Sequence, residues 1–124
     1  MITIETPGGR GALVIRATGV LTDADYKDVL IPALDRAFAE SGKLNALVLL
    51  DGFAGWEPAA ALDDIVYGLK HRGDFQRMAI VGGPRWTAIA VRFGAFIMSG
   101  EIRAYPSGQL KEASEWVGAP IPQV

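Results

Sequence analysis

Short unbroken apolar runs alternate along this chain with longer stretches in which apolar residues recur every three or four positions. Leu47 to Leu50 is such a run, and it reads as a strand buried on both faces, because a strand with one wet face would alternate with polar residues. Asp51, Gly52 and Gly55 follow it directly. They suit a tight turn and place Phe53 and Trp56 where the chain leaves the carboxyl end of a central strand, the usual ligand side of an open α/β sheet. Ile2 and Ile4 alternate with polar neighbours, and Leu13 to Val20 forms a second extended run. Pro7-Gly8-Gly9-Arg10-Gly11 lies between them, which predicts an antiparallel hairpin at the amino terminus.

Thr22, with Asp23 and Asp25 behind it, marks a helix start: its oxygen can accept from a free backbone N–H, and the carboxylates suit the positive end of the dipole. Tyr26, Val29, Leu30, Ala33, Leu34, Ala37 and Phe38 then share one helix face that ends near Ser41-Gly42. Pro32 interrupts this helix and predicts a kink near Leu30, or a main helix that begins at Pro32. Pro58 fits the first turn of a second helix, with Leu62, Ile65, Val66 and Leu69 as its buried stripe and Gly73 as its close. Met78 to Val81 is a further buried strand. Gly82-Gly83-Pro84 leads into a third helix, about Arg85 to Ser99, in which Trp86, Ile89, Ala90, Phe93 and Ile97 form one stripe while Val91, Ala95 and Met98 fall elsewhere. Ile102 to Tyr105 reads as the last strand. Ser107 is the expected cap of a final helix that turns Leu110, Ala113, Trp116 and Val117 inward, ahead of a proline-containing tail, 119–124. The order ββαβαβαβα predicts a single α/β domain over residues 1–124, with a mixed central sheet, an N-terminal antiparallel hairpin and helices packed on the sheet.

A chain of 124 residues, 50% hydrophobic and 21% charged, is long and apolar enough to bury one core. The net charge of −2 supplies no basic face for nucleic acid. No window reaches the ~20 apolar residues of a membrane span, and the first residues lack the pattern of a signal peptide. There is no cysteine, which removes disulfides and thiol chemistry and fits a reducing, cytoplasmic setting. No catalytic constellation, metal-ligand set or cofactor fingerprint is visible. His71, the single histidine, is expected at the end of the second helix in a capping role; Asp63 and Asp64 are expected to be solvated. Asp51 suits a turn cap, and Gly82-Gly83 before Arg85 forms a candidate anion seat at a helix start. An enzyme would need Asp51 and His71 to converge in a cleft. The third helix carries more apolar residues than one face can shelter, so Trp86, Phe93, Phe96 and Ile97, with Trp56 nearby, form the candidate binding surface.

Several of these stretches resemble one family. Trp56-Glu57-Pro58, Gly68-Leu69-Lys70-His71, the run Asp74 to Trp86, and Arg103-Ala104-Tyr105-Pro106 followed by Glu112-Ala113 and Trp116 are similar to the bacterial SpoIIAA-like proteins, also described as STAS/SEC14 domain-containing. The resemblance implies a small α/β fold with a mixed sheet. Anti-sigma-factor antagonists of similar fold switch partners when a serine at the start of the second helix is phosphorylated. Residues 51–56 hold no serine or threonine, so that switch does not carry over. SEC14 relatives bind lipid in an apolar cavity. The sequence thus predicts a non-catalytic binding or regulatory module, without cofactor, that engages a protein partner or its own copy as a homodimer; the alternative is a binder of a small apolar ligand or lipid.

Overall fold

Fully buried Leu47 sits in the middle strand of a five-stranded sheet, and the remaining elements are arranged around it. The computed structural model describes residues 1–5 and 12–119, and of Phe93, Gly94, Phe96 and Ile97 the backbone alone. The turn Pro7 to Gly11 and the tail beyond Ala119 lie outside the described residues. In chain order the elements are β1 (Ile2–Glu5), β2 (Leu13–Ala17), β3 (Gly19–Leu21), a π-helical segment (Asp25–Leu30) that continues into α1 (Ile31–Ser41), β4 (Leu44–Leu50), β5 (Phe53–Trp56), α2 (Pro58–Lys70), β6 (Phe75–Gly82), α3 (Trp86–Ile97), β7 (Glu101–Tyr105), a 3-10 turn (Ser107–Gln109) and α4 (Leu110–Val117).

The main sheet has the order β1-β2-β4-β6-β7. β1 and β2 pair antiparallel, as the hairpin pattern predicts, and every later pairing in this sheet is parallel. Side chains alternate across it. Ala46 and Leu50 join Leu13, Ile15, Tyr26, Leu30, Leu34 and Phe75 on one face, while Leu47 and Leu49 join Val14, Ala79, Val81, Ala113 and Val117 on the other. The second face is closed by α4. Asn45 Nδ2 donates to the carbonyl of Val117 at 3.1 Å and Arg77 Nη1 to that of Trp116 at 3.0 Å, so two sheet side chains satisfy carbonyls at the end of the helix. The guanidiniums of Arg103 and Arg77 lie 4.5 and 5.3 Å from the Trp116 ring, which seals the rim by cation–π contact.

Two local expectations need correction. The extended run from Leu13 to Val20 is two strands, because Gly19 takes a φ of +66° and its N–H turns to the carbonyl of Gly52 at 2.8 Å; β3 then pairs parallel with β5 in a separate two-stranded sheet. The observed order therefore gains two strands over ββαβαβαβα. Ser107 does not cap the last helix: Pro106 and Gln109 occupy the cap positions, and neither makes a side-chain cap bond. At Pro32 the second expectation holds to within one residue: the α-helical part begins at Ile31 with the proline in its first turn, after the π-helical segment that ends at Leu30. The helix runs unbroken from Asp23 to Ser41, and the turn before the proline widens so that the N–H of Ile31 reaches the carbonyl of Tyr26, five residues back. A wider turn accommodates a residue that has no N–H and a ring that crowds the preceding carbonyls.

The helix start follows the sequence closely. Thr22 Oγ1 accepts from the N–H of Asp25 at 3.1 Å, and the Asp25 carboxylate accepts from the N–H of Thr22 at 2.9 Å, a reciprocal capping box. That backbone donor holds the Asp25 carboxyl below its ordinary value of 3.8. A depressed folded value means that the stabilisation is complete above the unfolded value and is lost as pH falls through the folded one. Asp25→Ala is expected to lower stability by about 1 kcal/mol at pH 7. In urea titrations at descending pH, the difference from the parent should shrink below about pH 4; a constant difference would rule out the charged cap.

Candidate functional site

The orientation of α2 sets the character of the surface above the first sheet face. Pro58 occupies the first turn of α2, and Trp56 lies just before it. The Trp56 ring packs against Phe53 at 4.9 Å and Trp86 at 5.3 Å between centroids, and Phe53 meets Trp86 at 5.9 Å. These three rings tie β5 and the starts of α2 and α3 to one point at the carboxyl end of the sheet. Trp56 Nε1 donates to the Tyr26 hydroxyl at 2.7 Å, and that hydroxyl donates to Asp64 Oδ1 at 3.0 Å. A second tie lies further along. Tyr67 donates to Asp35 Oδ1 at 2.7 Å, and the His71 ring stacks on Phe38 at 4.7 Å while its Nδ1 lies 2.7 Å from Asp74 Oδ2.

Ala60, Asp64, Tyr67 and His71 follow one another at intervals of four, three and four, so they share a helix face, and that face is turned toward the body. The opposite face must then point outward. Leu62, Ile65, Val66 and Leu69 are 61, 58, 57 and 47% exposed, which overturns their expected burial. Periodicity identified the stripe but not its direction, because the polar face has partners on Tyr26 and Asp35 that hold it inward. The same reversal occurs on α3. Thr87 and Val91 are its buried positions, whereas Trp86 is 40% and Ile89 57% exposed. The side chains of Phe93, Phe96 and Ile97 lie outside the described residues.

Burial and the charge of Asp64 push the Tyr26 hydroxyl far above its ordinary range, so it remains a donor at every physiological pH. Much of the Asp64 residue faces solvent, yet its carboxyl is tucked against Tyr26, and loss of water pushes its pKa up. Asp63 is also raised, first by a hydrogen bond with Asp23, which itself is lowered by that bond and by Lys27 at 3.2 Å. Neither aspartate is the plain solvated charge that the sequence suggests.

Asp51 is exposed and lines a groove of about 450 Å³ with Gly52, Gly82, Gly83 and Ser107. Arg85 is exposed at the start of α3 and does not line that groove. Gly82 and Gly83 have φ of +80° and +87°, and a Cβ on Gly83 would meet Thr87 Oγ1 at 2.7 Å and Leu50 Cδ1 at 3.0 Å. The close approach of the turn to Leu50 and Thr87 accounts for the glycines without an anion. His71 lies beside Asp74, whose carbonyl accepts from the N–H of Leu44 at the beginning of β4, while Asp51 follows the end of that seven-residue strand. About 20 Å separates the two ends. Asp51 and His71 therefore do not converge. His71 is the C-cap of α2, as expected, its N–H donating to the carbonyl of Tyr67 at 3.0 Å, and its ring bridges Asp74 and α1. Among the described residues no cluster of histidines and carboxylates could hold a metal. From the sequence Tyr26 read as core and Asp64 as solvated, and Tyr67 and Asp35 were not singled out, since each partner lies over thirty positions away from the other.

The family model that matches the chain is SpoIIAA-like, over residues 12–118. Among solved structures, the chain is similar to an uncharacterized protein from the DUF3478 family with a SpoIIAA-like fold from Shewanella loihica PV-4, a crystal structure at 2.25 Å resolution. The two share 32% identity with a TM-score of 0.76, over 94% of this chain and 92% of that one. No curated protein matches.

The raised value of Asp64 fixes the sign of a pH effect. A carboxyl whose folded pKa exceeds its unfolded one carries no penalty below 3.8, and the penalty develops as pH rises through the folded value. Asp64→Asn keeps an acceptor for Tyr26 and removes the charge. The variant is expected to be at least as stable as the parent at pH 7, with the difference vanishing near pH 3.5. A variant clearly less stable at pH 7 would refute the assignment.

Proposed function

The chain belongs to the SpoIIAA-like family, whose domains commonly serve regulation and binding and are generally not enzymes, and from that premise we propose that it is a non-catalytic binding module that takes a protein partner or its own copy on an apolar helix surface. One observation carries this reading: the stripe Leu62, Ile65, Val66 and Leu69 on α2 faces solvent while the polar face of the same helix is tied inward. Exposed Trp86 and Ile89 on α3 extend the apolar character at the same side of the sheet. Contiguous apolar surface of this kind marks an interaction site.

A small apolar ligand or lipid is the second reading, and it rests on a different feature. Val48 and Ile80, neighbours in the middle strands, are only half-buried on the face that α2 and α3 overlook. A ligand lying on that floor would complete its burial. Mass spectrometry of organic extracts from purified protein tests this, and extracts without a stoichiometric apolar compound would count against it. No helix among the described residues is long and apolar enough to cross a membrane.

The main reading predicts that the stripe is spare for the fold. Leu62→Glu combined with Val66→Glu, measured at a concentration where the chain sediments as a monomer, should change unfolding stability by about 1 kcal/mol or less. Leu47→Ala, in the closed core, should cost about 2–5 kcal/mol. A stripe variant that loses as much as the core variant would show that α2 packs its apolar face inward, and the reading would fall.

A further inference from the structure

The exposed stripe of α2 has a basic border on the side of α3. The two helices lie next to each other and run the same way: Trp56, before α2, meets Trp86 at the start of α3 at 5.3 Å, and the N–H of Ser99, after α3, donates to the carbonyl of Arg72, after α2, at 3.0 Å. On α3 the buried positions are Thr87 and Val91. The opposite face therefore looks outward, and it carries Ile89 and Arg92, with Arg85 one turn before Ile89. Both arginines are exposed, and among the described residues neither has an acidic partner. They stand two turns apart, about 10 Å along the helix, and exposed Arg72 lies beyond them at the far end. Residues 75–100 contain no acid, although the chain as a whole has a net charge of −2. The aspartates of α2 are held by the π-helical segment, Asp64 by Tyr26 and Asp63 by a hydrogen bond with Asp23. An apolar centre with a basic edge is what remains on offer.

We infer that the partner accommodated by this surface is an acidic amphipathic helix of another protein, whose apolar residues cover the α2 stripe and whose carboxylates pair with Arg85 and Arg92 on α3. This rests on the reading of α2 as the binding face and names the chemistry of what binds there. Apolar contact at the centre supplies affinity, while charges at the rim set partner choice and encounter rate. A guanidinium presents its N–H groups as a fixed fork that fits a carboxylate, so an arginine left open on such a rim selects for an acid. Carboxylates two turns apart on a helix match the separation of Arg85 from Arg92. An anionic bilayer fits less well. Such surfaces are bound by clusters of about 4–8 basic residues, whereas here the arginines are spaced singly, Glu57 stands exposed at the start of α2 and the overall charge is negative.

Fluorescence anisotropy of two labelled synthetic helices, titrated with the full chain at low salt, tests this. Both peptides carry leucine at alternating spacings of three and four; one has glutamate on the flanks of that seam and the other lysine. The glutamate peptide should bind at least about tenfold more tightly than the lysine peptide, and high salt should erase the difference. Val66→Glu should abolish its binding. Arg92→Gln alone should lower the preference about threefold. The double variant R85E/R92E, altered only at exposed positions, should unfold at the parent's urea midpoint and reverse the preference. Equal binding of the two peptides, binding of neither, or a preference that survives R85E/R92E would each overturn the inference. So would binding of the chain to phosphatidylglycerol vesicles but to neither peptide, which would assign the face to a membrane. If neither peptide binds while the Leu62/Val66 double variant keeps its stability, the acidic partner fails and the exposed binding face stands; loss of stability in that variant removes both.

Discussion

The hydroxyl of Tyr26 is the point on which the upper surface of the molecule depends. It accepts from Trp56 and donates to Asp64, and so joins β5, the π-helical segment and α2 through one buried oxygen. A buried polar group left without its partners costs about 1–3 kcal/mol. Tyr67 and Asp35 repeat the arrangement one helical turn on. Turning α2 over would break both ties, while the stripe, about half exposed, would recover on the order of 1 kcal/mol for each of four side chains. The two sums are of similar size. Polar ties can therefore hold an apolar face in water, and a partner that covers that face gains what the fold leaves uncollected.

The two faces of the sheet embody different solutions to the same covering problem. On one, α4 lies directly on Leu47, Leu49, Ala79 and Val81, and its terminal carbonyls are met by Asn45 and Arg77. That layer is closed and has no surface to offer. On the other, α2 is held by its polar edge and by an aromatic cluster at one end, so the strands beneath keep Val48 and Ile80 half-buried.

The strand pattern was legible because burial on both faces leaves an unbroken apolar run, as in Leu47 to Leu50, and because turn residues punctuate it. The capping box at Thr22 and Asp25 was legible for the same local reason. β3 and β5 escaped detection: each has three or four residues, and each exists only because Gly19 brings it beside the other. Of the candidate site, Trp56 and Trp86 do meet, while Asp51 lines a neighbouring groove with Phe53, and Arg85, exposed, precedes Trp86. Tyr26 and Asp64 gave no signal, since a tyrosine on an apolar helix face reads as core and an aspartate on an amphipathic helix reads as solvent.

Sequence alone determined the class of the fold and the existence of an amphipathic second helix, because those properties follow from spacing between near neighbours, and the resemblance of its motifs pointed to the family. It could not determine which side of that helix looks outward. Periodicity defines two opposite faces and assigns neither, and the ordinary assumption sends the apolar one in. The choice was made by hydrogen bonds between residues more than thirty positions apart, whose meeting depends on how the helix before β4 lies against the helix after it. A property that depends on such distant partners is decided only when the chain is folded.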